Sequence, residues 1–199
     1  MLHPELHKPK LWNLFFLILV FMFIGCSSHK HLTFENIPVD GNLETFIKEL
    51  ASMDFTEQKS YEEDQAELTG IYCEKNCEIS VFSTPKSQTV YKVVVNLQKE
   101  PPDSIKATYE RLKKRCSLNY GEGASIYQQF HNSPRFLFNE PKLVREPKPG
   151  DYTRFMIRSG TIFLEVRLDY LSITYIDRKN NLINKKEGGK ENDMETPDI

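Results

Sequence analysis

TVYKVVVNL, residues Thr89 to Leu97, decides the fold class of this chain. Its β-branched run around Val93-Val94-Val95 is apolar on both faces, the pattern of a strand central to a sheet. Upstream, Thr84-Pro85-Lys86-Ser87 is turn chemistry. Before it, Leu68–Tyr72 and Cys77–Phe82 read as two strands of a hairpin joined through Glu74-Lys75-Asn76, with Gly70 as a bulge marker. Downstream, Pro101-Pro102 stops the strand, and Asp103 or Ser104 caps a helix running to about Asn119. Its apolar stripe is Ile105, Tyr109, Leu112 and Cys116, closed by Tyr120-Gly121.

Farther out the same pattern repeats. Asn42 is a good N-cap, and Leu43, Phe46, Ile47 and Leu50 fall on one face of a helix ending near Met53-Asp54. That stripe recurs as Ile105, Thr108, Tyr109 and Leu112 at a constant offset of 62 residues. Phe55–Tyr61 follows the first helix as a strand, and Leu32, Phe34 and Ile37 alternate in a lead-in arm. Beyond the second helix, residues 121–151 are broken by Pro134, Pro141, Pro147 and Pro149. Phe155–Arg158 and Thr161–Val166 then flank a Ser159-Gly160 hairpin, and Tyr170–Ile176 alternates as a last strand. The expected fold is α+β: duplicated helix-then-antiparallel-strands units forming one curved sheet, with two helices packed on one face. The domain spans residues 32–180. The tail, Asn181–Ile199, has no aromatics and too few apolar residues to offset its ordering entropy, so it reads as disordered.

The order resembles the duplicated helix-plus-sheet architecture of β-lactamase inhibitor proteins and of the smaller outer-membrane assembly lipoproteins. FENIPVDGNLETFIKEL, YCEKNCEI, VYKVVV and SIKATYERLKKRCSLNYG also resemble a family of small envelope lipoproteins of gut anaerobes. The resemblance implies a shared fold and carries no activity with it.

At the N-terminus, Lys8 and Lys10 precede an apolar run from Leu11 to Ile24. About 14 residues is short for a membrane helix, which needs roughly 20, and fits the h-region of a secretory signal. Phe23-Ile24-Gly25-Cys26 resembles the lipobox of bacterial lipoproteins, with Phe23 where Leu is usual. This implies a signal peptide over residues 1–25, lipidation at Cys26 and a tether over 26–31. An uncleaved membrane anchor is the alternative. The expected partners are the membrane, through the anchor on Cys26, and an envelope protein; the expected address is the outer membrane, facing the periplasm.

The chain's formal net charge is −2, and removing residues 1–25 leaves it at −3, so no electrostatic footprint for nucleic acid exists. Cys73, Cys77 and Cys116 remain beside Cys26. Buried thiols, a Cys73–Cys77 disulfide near the hairpin tip, or a metal site are the three readings, with buried thiols foremost. Cys116 lies on the helical stripe and reads as core. No nucleophile elbow, His-Glu-x-x-His or phosphate loop is present, and the one histidine placed within the folded part, His131, adjoins Asn132-Ser133-Pro134. No enzyme activity and no cofactor are expected. The function expected is a non-catalytic binding module that uses the helix-free sheet face or the Phe136–Phe138 island. Tyr91, Phe136, Phe138 and Tyr175 are its candidate contacts, with ordinary packing the alternative for the two tyrosines. The rival is a small-ligand or hydrolytic site between the sheet and the 121–151 loop.

Overall fold

The computed structural model describes residues 31–58, 62–121, 124–130, 133–136 and 149–189. Eleven strands and three helices appear among them. Strands β1 (Thr33–Phe34) and β2 (Ile37–Pro38) form a small ribbon. Its turn residues, Glu35 and Asn36, both hold positive φ, as a two-residue hairpin turn requires. Helix α1 (Leu43–Ala51) begins at Asn42, whose side chain accepts the Glu44 N–H. Strands β3 (Thr56–Gln58), β4 (Gln65–Tyr72), β5 (Lys75–Ser83) and β6 (Val90–Leu97) follow as a meander. Helix α2 (Pro102–Tyr120) then precedes β7 (Ser125–Phe130), β8 (Ser133–Phe136), β9 (Tyr152–Ile157), β10 (Gly160–Val166) and β11 (Leu171–Asp177).

The nine strands after the ribbon make one antiparallel sheet in the order β3-β4-β5-β6-β11-β10-β9-β7-β8. A helix followed by antiparallel strands therefore occurs twice, as a plain meander in the first unit and with β7 between β8 and β9 in the second. Each unit brings its last strand to the middle, where β6 and β11 pair, Val95 opposite Ile173 and Val93 opposite Tyr175. The α+β class and its duplication stand as expected.

Register explains why one face is core. Partners directly opposite in an antiparallel pair share a face. One row runs Leu68, Ile79, Val95, Ile173, Leu164 across five strands; the next runs Ala66, Val81, Val93, Tyr175, Ile162, Phe155 across six. All of these are buried. Helix α1 covers the β3–β5 end and α2 the β9–β10 end, adding Leu43, Phe46, Leu50, Ile105, Tyr109, Leu112 and Cys116 to the same cluster. Phe34 of the ribbon sits at its centre, with ring centroids 5.7 Å from Tyr72, 5.2 Å from Tyr175 and 6.5 Å from Phe55. The Tyr72 and Tyr175 hydroxyls pair at 2.8 Å, and the Tyr120 hydroxyl donates to the Thr33 carbonyl.

Four details differ from the sequence reading. The hairpin tip is Cys73-Glu74, not Glu74–Asn76: both residues hold positive φ, and Tyr72 pairs with Lys75. Gly70 is not a bulge but a packing gap, since a Cβ there would lie 2.3 Å from the Phe55 ring. The irregularity falls instead between Phe82 and Ser83, opposite the start of β6. The ordered chain also continues past residue 180. Helix α3 (Arg178–Glu187) buries Asn180, Asn181 and Asn184, and ends at Gly188 in the left-handed region. The reading of Asn181–Ile199 as disordered is therefore corrected over 181–189, while 190–199 lies outside the described residues.

Asp177 joins the two ends of this unit. Its carboxylate is fully buried; Oδ2 accepts the Leu32 N–H at 2.7 Å, and Oδ1 accepts the Asn180 N–H at 2.9 Å as the cap of α3. The Asn180 amide then donates to the Val39 and Val90 carbonyls and to Asp40. Two outcomes follow. Asp177→Ala should lower unfolding free energy by about 2–6 kcal/mol, because two buried N–H groups lose their acceptor at about 1–3 kcal/mol each. Deleting 181–199 should lower the urea midpoint as well, through loss of the docked α3; an unchanged midpoint would show that the helix adds no stability.

Candidate functional site

The strands that build the core carry a second set of side chains on the helix-free face. One row there runs Glu67, Ser80, Val94, Thr174, Phe163, Arg154, Tyr127. The row beside it runs Thr69, Glu78, Asn96, Ser172, Glu165, Tyr152. Toward β4–β6 the face is polar: the Ser80 hydroxyl donates to Glu67 at 2.9 Å, and the Ser172 hydroxyl donates to Asn96 at 2.8 Å. Toward β7–β10 it is aromatic. Ring centroids lie 5.9 Å apart for Tyr127–Tyr152 and 6.2 Å apart for Tyr152–Phe163, and the Arg154 guanidinium carbon stands 5.2 Å from the Phe163 ring centre. Tyr127 and Tyr152 are half-buried, so each exposes part of a rigid amphipathic ring, the side-chain type favoured at interfaces. Burial raises the Tyr152 hydroxyl above its ordinary range, with neighbouring Tyr127 adding to the effect. Glu165 is raised by burial too, against the opposing pull of Arg167, whose Nη2 lies 2.9 Å away.

At the strand ends a groove of about 690 Å³ is lined by Thr69, Ile71, Asn76, Glu78, Asn96 and Lys99 among others. Ile71, at its rim, is 66% exposed. The groove is rich in amides and hydroxyls.

The strand tyrosines expected at this surface are not there. Tyr175 is 1% exposed and part of the core, and Tyr91 is 4% exposed, its hydroxyl pushed up to about 12 by burial. Both are corrected as contact residues. Phe136 ends β8, opposite Tyr127 in register. Phe138, Cys26 and His131 lie outside the described residues. The residues of this face missed from sequence are Tyr127, Tyr152 and Arg154, set against the buried Phe163. Phe163 sits in a strand whose two faces are both buried, so alternation gave no sign of which residues face outward.

The described cysteines are free thiols, which corrects the Cys73–Cys77 bridge. Register is the reason: Cys77 pairs with Gly70, while Cys73 occupies the turn. The Cys77 thiol donates to the Gly70 carbonyl, and Cys73 Sγ accepts from Arg115 Nη1 at 3.0 Å. Burial raises all three, Cys77 to about 11 and Cys116 to about 12, and for Cys73 it outweighs the nearby Arg115. Thiols held protonated are poor nucleophiles. Among the described residues no group of three or more His, Cys, Asp or Glu is arranged to hold a metal ion.

His31, placed in the tether by the sequence reading, belongs to the fold. Its side chain is 13% exposed, with Nδ1 3.3 Å from Asp177 Oδ2 and Nε2 3.4 Å from Asp40 Oδ2. Burial alone would raise Asp40, but the Gly41 N–H, the Asn180 amide, His31 and Lys179 together hold it below the usual carboxylate range.

A chain carrying Cys26→Ala, denatured without reductant, should titrate three thiols; a single thiol would restore the bridge. In the folded chain at pH 8, alkylation should be slow at all three, because raised thiols hold little thiolate below their own pKa. Among the described residues no helix is long and apolar enough to cross a membrane. No protein-family model, curated protein or solved structure matches the chain.

Proposed function

We propose that the chain is a lipoprotein of the cell envelope, anchored through Cys26 and facing the periplasm, where it acts as a non-catalytic protein-binding or assembly module. The observation that carries the binding reading is the Tyr127–Tyr152–Phe163 ring row with Arg154 on the helix-free face. Half-buried tyrosines and an arginine, set over the buried Phe163 on a rigid sheet, lose little side-chain entropy when a partner covers them. The polar half beside them supplies hydrogen-bonding groups of the kind that rim protein interfaces. The anchoring reading rests on the basic end, the short apolar run and Phe23-Ile24-Gly25-Cys26. Several acyl chains on one cysteine hold a protein to a bilayer, each buried CH₂ contributing about 0.8 kcal/mol.

A photo-crosslinking residue placed at Tyr152 or at Thr69 on the helix-free face, and at Glu49 on the exposed side of α1, tests both parts. Discrete adducts with an envelope protein from the first two positions and none from Glu49 are expected. Adducts from Glu49 alone would place the contact on the helix side and overturn the assignment. Cys26→Ala should move the protein from the detergent phase to the aqueous phase; retention with detergent would overturn the lipid anchor.

A further inference from the structure

Where the helix-free face meets α3, a second groove of about 490 Å³ opens. Its floor is apolar, formed by Met156, Phe163 and Ile176, with Leu182 of α3 as one wall. Arg154, Arg178 and Lys185 line it, and among the described residues no acidic side chain does. In a chain of net charge −2 this is a local reversal of sign. Arg154 is held against the floor by the Phe163 ring, and its Nε is buried without a hydrogen-bond partner. The neighbouring carboxylate, Glu165, is taken by Arg167. Among the described residues no carboxylate pairs with Arg154 or Arg178.

The floor strands β9, β10 and β11 are interior, each paired on both sides. They offer no free backbone edge, so a peptide lying there could not add as a strand, and its amides would be desolvated without partners. What the groove does supply is apolar area along its length and cations at its margin. An unpaired guanidinium takes a carboxylate by charge-assisted, often bidentate hydrogen bonds. We propose that this groove binds a free single-chain carboxylate amphiphile. Its head lies at Arg154 and Arg178, and its alkyl tail runs along Met156, Phe163, Ile176 and Leu182. A volume of this size is within the range of small-molecule sites.

The test is calorimetric titration of the full chain with decanoate below its micellar concentration, beside decanol and acetate. Saturable binding of decanoate is expected, with decanol at least tenfold weaker and acetate giving no heat. Arg178→Gln and Leu182→Glu alter exposed side chains, and Leu182 is 53% exposed, so the fold tolerates both. Each should weaken decanoate at least tenfold. Both variants keep the apolar N-terminal run, so binding there would not change; unaltered affinity in either variant overturns the proposal. Equal affinity for decanol and decanoate, or no saturable decanoate binding, also overturns it. Failure with decanoate together with Arg178-dependent binding to phosphatidylglycerol vesicles would replace the free amphiphile with a lipid headgroup.

Discussion

The buried Asp177 carboxylate is the constraint on which the unit closes. A charge removed from water is tolerated only where hydrogen bonds replace its hydration. Asp177 meets that condition with groups from opposite ends of the described chain, the Leu32 N–H and the Asn180 N–H, and with His31 beside them. The ribbon that carries Phe34 into the core is thus fixed at its entry, and α3 at its start. Between them Asn180 spans to Val39, Asp40 and Val90, so one polar cluster joins the arm, the first strand of the central pair and the terminal helix. The hydrogen bonds of Asp177 and Asn180 favour a single arrangement, because any other leaves these buried groups unpaired.

The two faces of the sheet follow from the same strands by different rules. On the helix side, opposite partners are apolar row after row, and the helices complete the cover. On the other side the rows mix Glu, Ser, Asn and Thr with a compact set of rings and an arginine. Two of these residues, Thr174 and Ser172, are buried in the interior of the nine-stranded sheet, while Phe163 and Ile176 are buried beside α3. The surface that results is stiff. Its chemistry is set by register, so a one-residue slip would exchange the two faces.

Much of this was legible in the sequence where apolar periodicity speaks. The stripes of α1 and α2, the run at Val93–Val95 and the 62-residue echo led to the class and the duplication. What was not legible has physical causes. Helix α3 buries asparagines at positions 180, 181 and 184, so a search for apolar stripes passes over it. Its visible signals were the Asp177 cap and the Gly188 stop. His31 gains its place only from Asp177, far away in the chain. The hairpin tip puts Cys73 and Glu74 in the left-handed region, which Gly or Asn would have announced. For Tyr91 and Tyr175 the sequence leaves surface contact and ordinary sheet packing both open, because a strand alone does not reveal which side will be covered.

The duplicated order has a consequence for how the chain finds this structure. Within each half, most strand pairs join neighbours in sequence through short turns, so their contacts are local and cheap in loop-closure entropy. The β6–β11 seam is different: Asn96 and Ser172, hydrogen-bonded across it, are 76 residues apart. The ends of the chain meet over a longer span still, since Leu32 and Asp177 are 145 residues apart. These two long-range closures raise the contact order of an otherwise local topology. The seam and its carboxylate clasp are therefore where the chain meets its largest loop-closure cost.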